Sequence, residues 1–304
     1  MKNSQYMTVV GSAALDSIET PHGFVDDALG GSSLYIAASG SLFAPVHVVS
    51  VVGDDFPLSK IDFLKARNVN LDGLEIAPGS TFRWSGRYHE DMNIRDTLST
   101  ELGVFEGFDP ELPFAAAAAR YLLLANINPA LQMKVLEQVK DTRLVAFDTM
   151  NLWIQMEREN VEEIIPKVDI VILNDQEIGL LTGEKTVLKG CEKLLEMGTS
   201  YVVAKKGEHG AILFGKDSSP FLCPAYPIKS AVDPTGAGDS FAGAMMGYLA
   251  ATDDITTMNI RRAVVYGTVT ASFTVEDFSL NRLENLTHND LEKRFRDFRE
   301  MVEF

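Results

Sequence analysis

The chain has few cysteines, a shortage of basic side chains and no long apolar run, and each shortage disfavours a class of protein. Only Cys191 and Cys223 are present among its 304 residues, too few for a disulfide-stapled fold and without the spacing of a metal site. Acidic residues outnumber basic ones by 43 to 27, which disfavours a nucleic-acid partner because a phosphate backbone requires a basic surface. No apolar run reaches the length of a membrane span, and the N-terminal residues do not resemble a signal peptide. We therefore expect a cytoplasmic protein with neither nucleic acid nor membrane as a partner.

Two common nucleotide-binding motifs are also missing. No G-x-x-x-x-G-K-[ST] sequence occurs, which disfavours a P-loop NTPase. The segment GSAALD, which follows the first apolar run, lacks the second and third glycines of the dinucleotide-binding fingerprint. The sequence therefore also disfavours a Rossmann-type dehydrogenase.

Short apolar runs alternate with segments of helical periodicity along most of the chain. TVVGSAAL, YLLLAN and IVILND are typical of buried strands, whereas PALQMKVLEQVK has the spacing of a helix. This alternation predicts a mainly parallel sheet covered by helices on both faces, an α/β/α arrangement of three layers. Ligands of such sheets bind at the carboxyl ends of the strands, so the residues that follow the runs are candidates for a site. They are Asp16, Gly53, Asn126, Asp148 and Asn174.

Residues 81–104 interrupt this alternation. They are polar and rich in aromatic and β-branched residues, with a turn predicted near 90–93, which is typical of an antiparallel hairpin with one solvated face. A hairpin inserted on a parallel core indicates either a lid over a ligand or a flap that joins two subunits. No repeat and no interdomain linker is evident, so we expect residues 1–304 to form a single domain.

The segment DPTGAGDSFAGA, residues 233–244, is the most informative stretch of the chain. Gly236, Ala237 and Gly238 leave the backbone bare, and the apolar run that follows predicts a buried helix whose positive end gathers their N–H groups. Such a loop binds anions, yet it carries Asp239. A carboxylate beside an anion hole suggests a base that takes a proton from an alcohol while the hole holds a phosphoryl group. For a lone GAGD, an ordinary helix cap is the alternative.

The unbroken DPTGAGD resembles the C-terminal signature of the ribokinase or pfkB superfamily of carbohydrate and nucleoside kinases. The resemblance extends from the first strand to the helix after GAGD. It implies a ribokinase-like fold with a small β-lid from about 14–31 and 81–104, and a homodimer formed through that lid. It also implies an ATP- and Mg²⁺-dependent phosphotransferase with Asp239 as general base, acting on a sugar or on the ribose of a nucleoside. The alternative is a sensor of sugar or nucleotide on the same fold, without catalysis.

On the acceptor side, the resemblance implies that an Asp and a Gly-Gly pair hold sugar hydroxyls. These correspond to Asp16, Gly30 and Gly31, followed by Ser32 where the family commonly has Asn. The segment AFDTMNLW adds Asn151, although it is one residue longer than the D-x-N pattern of the family. Trp84 and Tyr88 of the lid would cover a sugar or stack on a base, and the lid arginines Arg83, Arg87 and Arg95 leave a sugar phosphate open. A free sugar and a nucleoside remain equally supported.

On the cofactor side, the resemblance implies that the N-x-x-E pattern of Asn174 and Glu177 organises Mg²⁺, with Glu177 acting through water. An Asn-Asp pair that precedes a helix is equally an ordinary cap. The turn of VVAKKGEHG implies contacts with the triphosphate, and either lysine could face it. The remaining family positions are Lys205, Lys206, Gly207 and Gly210 at this turn, Gly267 beside the adenine, and Asp233 and Thr235 with Glu276–Ser279 as a monovalent-cation site for K⁺.

Overall fold

The computed structural model describes residues 5–303. Its strands, in chain order, are β1 (Met7–Val10), β2 (Ala14–Thr20), β3 (Gly23–Gly30), β4 (Val46–Gly53), β5 (Val69–Ala77), β6 (Arg83–Tyr88), β7 (Arg95–Glu101), β8 (Tyr121–Leu124), β9 (Leu144–Asp148), β10 (Ile170–Asn174), β11 (Tyr201–Lys205), β12 (Ala211–Gly215) and β13 (Ser218–Cys223). Its α-helices are α1 (Ser32–Gly40), α2 (Asp62–Ala66), α3 (Phe114–Ala117), α4 (Pro129–Gln138), α5 (Asn151–Met156), α6 (Arg158–Ile164), α7 (Asp175–Thr182), α8 (Val187–Glu196), α9 (Ala237–Thr252), α10 (Thr257–Thr274), α11 (Asn281–Glu284) and α12 (His288–Val302).

Nine strands form the main sheet in the order β13-β12-β11-β10-β9-β8-β1-β4-β5. From β11 through β10, β9, β8, β1 and β4 to β5, neighbouring strands pair in parallel. Only the edge formed by β11, β12 and β13 is antiparallel. The central strands are apolar throughout because both faces of the sheet are covered, and every residue of β4 is buried. The predicted α/β class with a mainly parallel sheet is confirmed.

Successive side chains of a strand enter two separate cores, as the twofold period of a strand requires. Val9 packs with residues of α1, α9 and α10, whereas its neighbour Val10 packs with residues of α4, α6, α7 and α8. Helices thus cover both faces of the sheet. The carboxyl ends of the parallel strands lie at one edge between these helix layers, where polar side chains follow β9, β10 and β11.

Four strands form a small second sheet in the order β3-β2-β6-β7. The hairpins β2–β3 and β6–β7 are antiparallel, and they join through a parallel β2–β6 pair. Every residue of β7 is exposed, so the predicted hairpin does have a solvated side. Its turn lies where the sequence predicts it, with the N–H of Ile94 donating to the Asp91 carbonyl.

Candidate active site

The candidate base lies in the first turn of α9. Gly236 precedes this helix with a φ of 73°, a left-handed conformation that favours glycine. A Cβ at this position would also lie 2.4 Å from ring carbons of Tyr35, so no larger residue fits. The glycine therefore allows the chain to turn sharply into α9, which places Asp239 at the positive end of a 16-residue helix.

The backbone amides around this turn are not equivalent. The N–H of Ala237 donates to the Pro234 carbonyl at 3.2 Å. Within residues 5–303, the N–H groups of Gly236, Gly238 and Asp239 have no acceptor. Free amides at a helix start attract anions because they carry the positive end of the helix dipole. The donors available to an anion are therefore these three, and the amide of Ala237 is already used.

The Asp239 carboxylate is accessible and unpaired. It is partly exposed, and in the described part of the chain it accepts no hydrogen bond. Burial raises its pKa to about 7; Asp148 adds to the increase, whereas Lys205 and Arg95 oppose it. A carboxylate that titrates near neutral pH combines useful basicity with a substantial deprotonated fraction. The arrangement suits transfer of a proton from a hydroxyl ligand.

Lys205 at the end of β11 and Asp148 at the end of β9 form an ion pair across the end of β10, which lies between these strands. The Lys205 Nζ lies 3.1 Å and 3.3 Å from the two carboxylate oxygens of Asp148. The same Nζ lies 3.2 Å from the position of a Cβ built on Gly238, which places the ammonium at the anion loop. Burial would lower the pKa of Lys205, but Asp148, Glu177 and Asp239 outweigh it and raise the pKa. The site therefore keeps a positive charge beside the free amides.

Asn174 and Glu177 form a capping box at the start of α7. The Asn174 Oδ1 accepts from the Glu177 N–H at 2.8 Å, and the Glu177 Oε2 accepts from the Asn174 N–H at 2.7 Å. The capping role considered from the sequence is thus present. The second oxygen, Glu177 Oε1, has no hydrogen bond within residues 5–303, and burial raises the pKa of this group to about 7, with Lys205 opposing.

The oxygen ligands around Glu177 fit only one mode of Mg²⁺ binding. Within the described residues, no group of three or more acidic, histidine or cysteine side chains is arranged to hold a metal ion. Mg²⁺ is commonly held by one or two carboxylates together with waters and substrate phosphates. One carboxylate with a free oxygen beside a phosphate-type site is compatible with that mode, but not with a cage made of protein ligands alone.

Asp16 and the Gly-Gly pair pack directly together. Asp16 is 5% exposed, and burial and the charge of Asp233 raise its pKa to about 7 against the effect of the Gly31 amide. A Cβ on Gly30 would overlap the Asp16 Oδ2 at 2.0 Å, and Gly31 has a left-handed φ of 88°. The two glycines therefore let the turn into α1 close over the carboxylate.

The other two predicted acceptor residues have different surroundings. The Ser32 Oγ accepts from the Ser12 N–H at 3.2 Å, and the Ser32 N–H donates to the Ser12 Oγ at 3.2 Å. The hydroxyl of Ser32 thus ties α1 to the β1–β2 connection. Asn151 begins α5 and is exposed, three residues after Asp148.

The candidate cation loops meet at Asp233. Its Oδ1 accepts from the Thr235 N–H at 2.8 Å, and its Oδ2 accepts from the Ser279 N–H at 3.1 Å. Burial raises the pKa of this carboxyl, and the amides oppose that effect. The structure therefore brings the 233–235 and 276–279 segments together, with both Asp233 oxygens already bonded to backbone amides.

The remaining cofactor candidates are divided between two places. Gly207 and Gly210 have positive φ values of 54° and 86° in the β11–β12 turn, where the Lys206 N–H donates to the Gly210 carbonyl at 2.8 Å. Gly267 is buried between α9 and α10, where a Cβ would lie 2.8 Å from the Phe241 carbonyl oxygen. Gly267 therefore permits close packing of α10 against α9.

The β6–β7 hairpin contacts the core at two points beside the site. The Thr235 Oγ1 donates to the Tyr88 hydroxyl at 3.1 Å. At the hairpin turn, the Asn93 Oδ1 lies 2.6 Å from the position of a Cβ built on Gly207. The hairpin therefore touches both the DPTGAGD loop and the β11–β12 turn.

Sequence reasoning considered Arg95 only as a lid arginine that leaves a sugar phosphate open, and it gave Tyr35 no role. Arg95 lies 5.2 Å from the Trp84 ring, and its charge lowers the pKa values of Asp16, Asp239 and Glu177. Arg95 lies opposite Tyr88 in the β6–β7 pair, so the register of the predicted hairpin could have indicated that Arg95 lies beside this lid residue. Tyr35 is buried against Gly236, and the sequence around it carries no signal of that contact.

Comparison with known proteins identifies the family. The pattern of the pfkB family of carbohydrate kinases matches residues 9–285. The chain belongs to this family. Among proteins similar to this chain, a cytidine kinase of Thermococcus kodakarensis is 32% identical over 246 residues, covering 79% of this chain and 87% of that protein. A nucleoside kinase of Methanothermobacter thermautotrophicus is 29% identical over 258 residues, 82% of this chain and 78% of the relative.

Solved structures of a nucleoside kinase and of a ribokinase share the fold. The crystal structure of the Methanocaldococcus jannaschii nucleoside kinase aligns with a TM-score of 0.77 at 21% identity, over 97% of this chain and 99% of the other. An Escherichia coli protein assigned as ribokinase II, in complex with ATP and Mg²⁺, aligns with a TM-score of 0.79 at 18% identity, over 96% and 99%. The predicted family, the ribokinase-like fold and the predicted class of enzyme, a sugar or nucleoside kinase that uses ATP, are confirmed. No helix within residues 5–303 is long and apolar enough to cross a membrane.

Proposed function

We propose that this chain is an ATP-dependent nucleoside kinase that phosphorylates a ribose hydroxyl, with Asp239 as the general base. Family membership supports phosphoryl transfer to an alcohol. The relative named a cytidine kinase, at 32% identity, and the second relative, named a nucleoside kinase, favour a nucleoside over the free sugar that the sequence left equally open.

The position of Asp239 carries the proposal. Its carboxylate is partly exposed, accepts no hydrogen bond within residues 5–303, and lies in the first turn of α9 beside free backbone amides. In the proposed reaction it takes the proton of the attacking hydroxyl as that oxygen bonds to the γ-phosphorus of ATP. The bond from this phosphorus to the bridging oxygen breaks, and ADP leaves.

The negative charge of the moving phosphoryl group requires fixed positive groups. We assign this role to the amides of Gly236 and Gly238 and to the Lys205 ammonium, whose Nζ lies at the same loop. Asp148 holds the ammonium in place through the 3.1 Å ion pair. Such preorganised donors stabilise the transition state without reorganisation during the reaction. The backbone of the turn formed by Lys206, Gly207 and Gly210 would bound the triphosphate on its other side, without a contact from the Lys206 side chain.

Mg²⁺, when bound with ATP, would neutralise phosphate charge, and Glu177 and Asn174 would hold it through its waters. On the acceptor side, Asp16 would accept hydrogen bonds from sugar hydroxyls, and the Gly30–Gly31 turn would fix its carboxylate. Asn151 at the exposed start of α5 would contact the acceptor or the phosphate. The small sheet would act as the lid, since it contacts the DPTGAGD loop through Tyr88.

Two further roles remain part of the proposal. The paired loops at Asp233 and Ser279 would hold K⁺ next to the anion loop, so turnover in K⁺ would exceed turnover in a salt of a bulky organic cation. A second copy of the chain would cover the exposed face of the small sheet, where Phe24, Ile94 and Leu98 are 62%, 53% and 52% exposed. Light scattering of the purified protein at several concentrations tests the dimer. We retain the expectation of a cytoplasmic location.

An acceptor panel tests the proposed function. Cytidine, uridine, adenosine, ribose, fructose and fructose 6-phosphate are each incubated with ATP, Mg²⁺ and the enzyme, and ADP release is measured. We expect the highest kcat/KM with a nucleoside. A preference for ribose or fructose would move the acceptor to free sugars, and turnover at background with every acceptor would favour the sensor alternative.

A further inference from the structure

Tyr35 carries a buried hydroxyl without a partner. The side chain is 1% exposed, and its hydroxyl oxygen has no hydrogen-bond partner within residues 5–303. Tyr121 provides the contrast, because it is also fully buried but donates to the Asp253 Oδ1 at 2.9 Å. Burial of a phenol removes its hydrogen bonds with water, so an orphaned hydroxyl in a folded protein requires an explanation.

The location of Tyr35 suggests the explanation. Its ring lies against Gly236, where a Cβ would be 2.4 Å from three ring carbons, including the one that bears the hydroxyl. Burial and the charges of Asp233 and Asp16 raise the pKa of Tyr35, with Asp239 contributing. The hydroxyl is therefore protonated and can donate. Its ring contacts Gly236, three residues before the candidate base Asp239.

We propose that the Tyr35 hydroxyl donates a hydrogen bond to a ring hydroxyl of the acceptor, and that it makes the enzyme select a ribose over a deoxyribose. This inference rests on the proposed function and deepens it. A substrate hydroxyl can accept from Tyr35 and donate to a carboxylate such as Asp16 at the same time. An acceptor without that hydroxyl leaves a buried donor and a buried acceptor unpaired, which a polar site penalises strongly.

The same geometry makes a prediction for the protein without ligand. Because the hydroxyl has no partner within residues 5–303, Tyr35→Phe removes an unpaired polar group and fills the same space. The variant should therefore melt at the temperature of the wild type or above it. Tyr121→Phe is the matched control: it removes a bonded hydroxyl from a tyrosine of the same burial and should lower the melting temperature by about 2 °C.

The test compares cytidine, 2′-deoxycytidine and 3′-deoxycytidine as acceptors of the wild type, Tyr35→Phe and Tyr121→Phe, and measures melting without ligand. We expect the wild type to prefer cytidine over at least one deoxy analogue by about tenfold or more in kcat/KM. In Tyr35→Phe this ratio should approach one because the KM for cytidine rises. The kcat and the KM for ATP should stay nearly unchanged. Tyr121→Phe should keep the wild-type ratio.

Two results would overturn the inference: an unchanged ratio in Tyr35→Phe, or a fall of its melting temperature like that of Tyr121→Phe. The latter would mean that the hydroxyl already has a partner within the protein and is not available to the acceptor. If ribose or fructose proves to be the acceptor, the same ratios are measured with its deoxy analogues. If no acceptor turns over, the proposed function fails, and calorimetric titration of the three cytidines with the same variants still decides the role of Tyr35.

Discussion

Lys205 and Lys206 are adjacent in sequence, but only Lys205 is tied to the site. Its ammonium pairs with Asp148 and lies at the anion loop, whereas the side chain of Lys206 has no ion pair or hydrogen bond within residues 5–303. Lys205→Met should therefore lower kcat/KM for ATP by about a hundredfold, the scale of one lost charge-stabilising donor. Lys206→Met is the matched control and should stay within about twofold. Initial rates at varied ATP measure both; equal losses would contradict the assignment.

The pKa of Asp239 predicts the pH dependence of the reaction. A general base acts when it is deprotonated, so kcat/KM for the acceptor should rise with pH and level off above an apparent pKa of about 7. Asp16 and Glu177 titrate in the same range, so the profile is measured for the wild type and for Asp239→Asn. A flat wild-type profile between pH 5.5 and 8 would contradict a base of this strength.

At single residues, sequence patterns were informative where the backbone conformation allows only one residue type. The DPTGAGD loop was readable because Gly236 needs a left-handed conformation and has no room for a Cβ. Hydrogen-bond partners could not be predicted from the sequence: Ser32 pairs with Ser12, and the Ala237 N–H donates to the Pro234 carbonyl. Gly267 packs against Phe241, and its place beside the adenine stays a prediction.

At the level of elements, α7 combines a structural cap with a proposed metal role, and substitutions can separate the two. Glu177→Gln keeps a side chain that can complete the capping box but removes the charge. It should retain the wild-type melting temperature, or exceed it above neutral pH where the buried carboxylate is charged, and require more Mg²⁺ for half-maximal rate. The measurements are thermal unfolding and a Mg²⁺ titration at fixed ATP. An unchanged Mg²⁺ requirement would contradict the metal role.

The capping role of Asn174 can be compared with that of Thr287, which caps a helix outside the site. Asn174→Ala should cost about 1 kcal/mol of unfolding free energy, and Thr287→Ala should cost a similar amount, because Thr287 caps α12 with the same geometry. Only the Asn174 variant should also weaken the response to Mg²⁺. If both variants respond to Mg²⁺ alike, Asn174 acts as a cap alone.

Helices and strands with a clear hydrophobic pattern could be predicted from the sequence. Strands whose position depends on pairing with distant segments could not. The apolar runs gave the parallel strands because both faces of those strands are buried, as in β4. Residues 81–104 gave the β6–β7 hairpin through its polarity and its turn. The β2–β3 part of the small sheet followed only from the family resemblance, because it is joined to β6 by a pairing between distant segments.

At the scale of the whole molecule, the acids of the site whose pKa values are raised by desolvation link stability to pH. Asp16, Glu177 and Asp239 all have pKa values raised to about 7. In the unfolded chain these groups have pKa values near 4, so the folded chain binds their protons more tightly. Their contribution to stability is complete below about pH 4 and is lost as the pH rises through about 7.

The protein without ligands should therefore become less stable between pH 5 and 8. His47 acts in the opposite sense, because burial lowers its pKa, but it is one group against three. Urea unfolding at several pH values measures the trend, and Asp239→Asn should reduce its slope. Stability that is constant or rises between pH 5 and 8 would contradict the burial argument for these carboxyls.

In the proposed reaction one carboxylate, that of Asp239, removes the proton of the acceptor. The most direct test of this step is the turnover of Asp239→Asn with the best acceptor, together with calorimetric binding of ATP and acceptor. We expect kcat to fall by about three decades while both dissociation constants stay near the wild-type values. Asp62→Asn, a change in the first turn of the surface helix α2, is the control and should leave kcat unchanged. Turnover of Asp239→Asn within about tenfold of the wild type would contradict the claim.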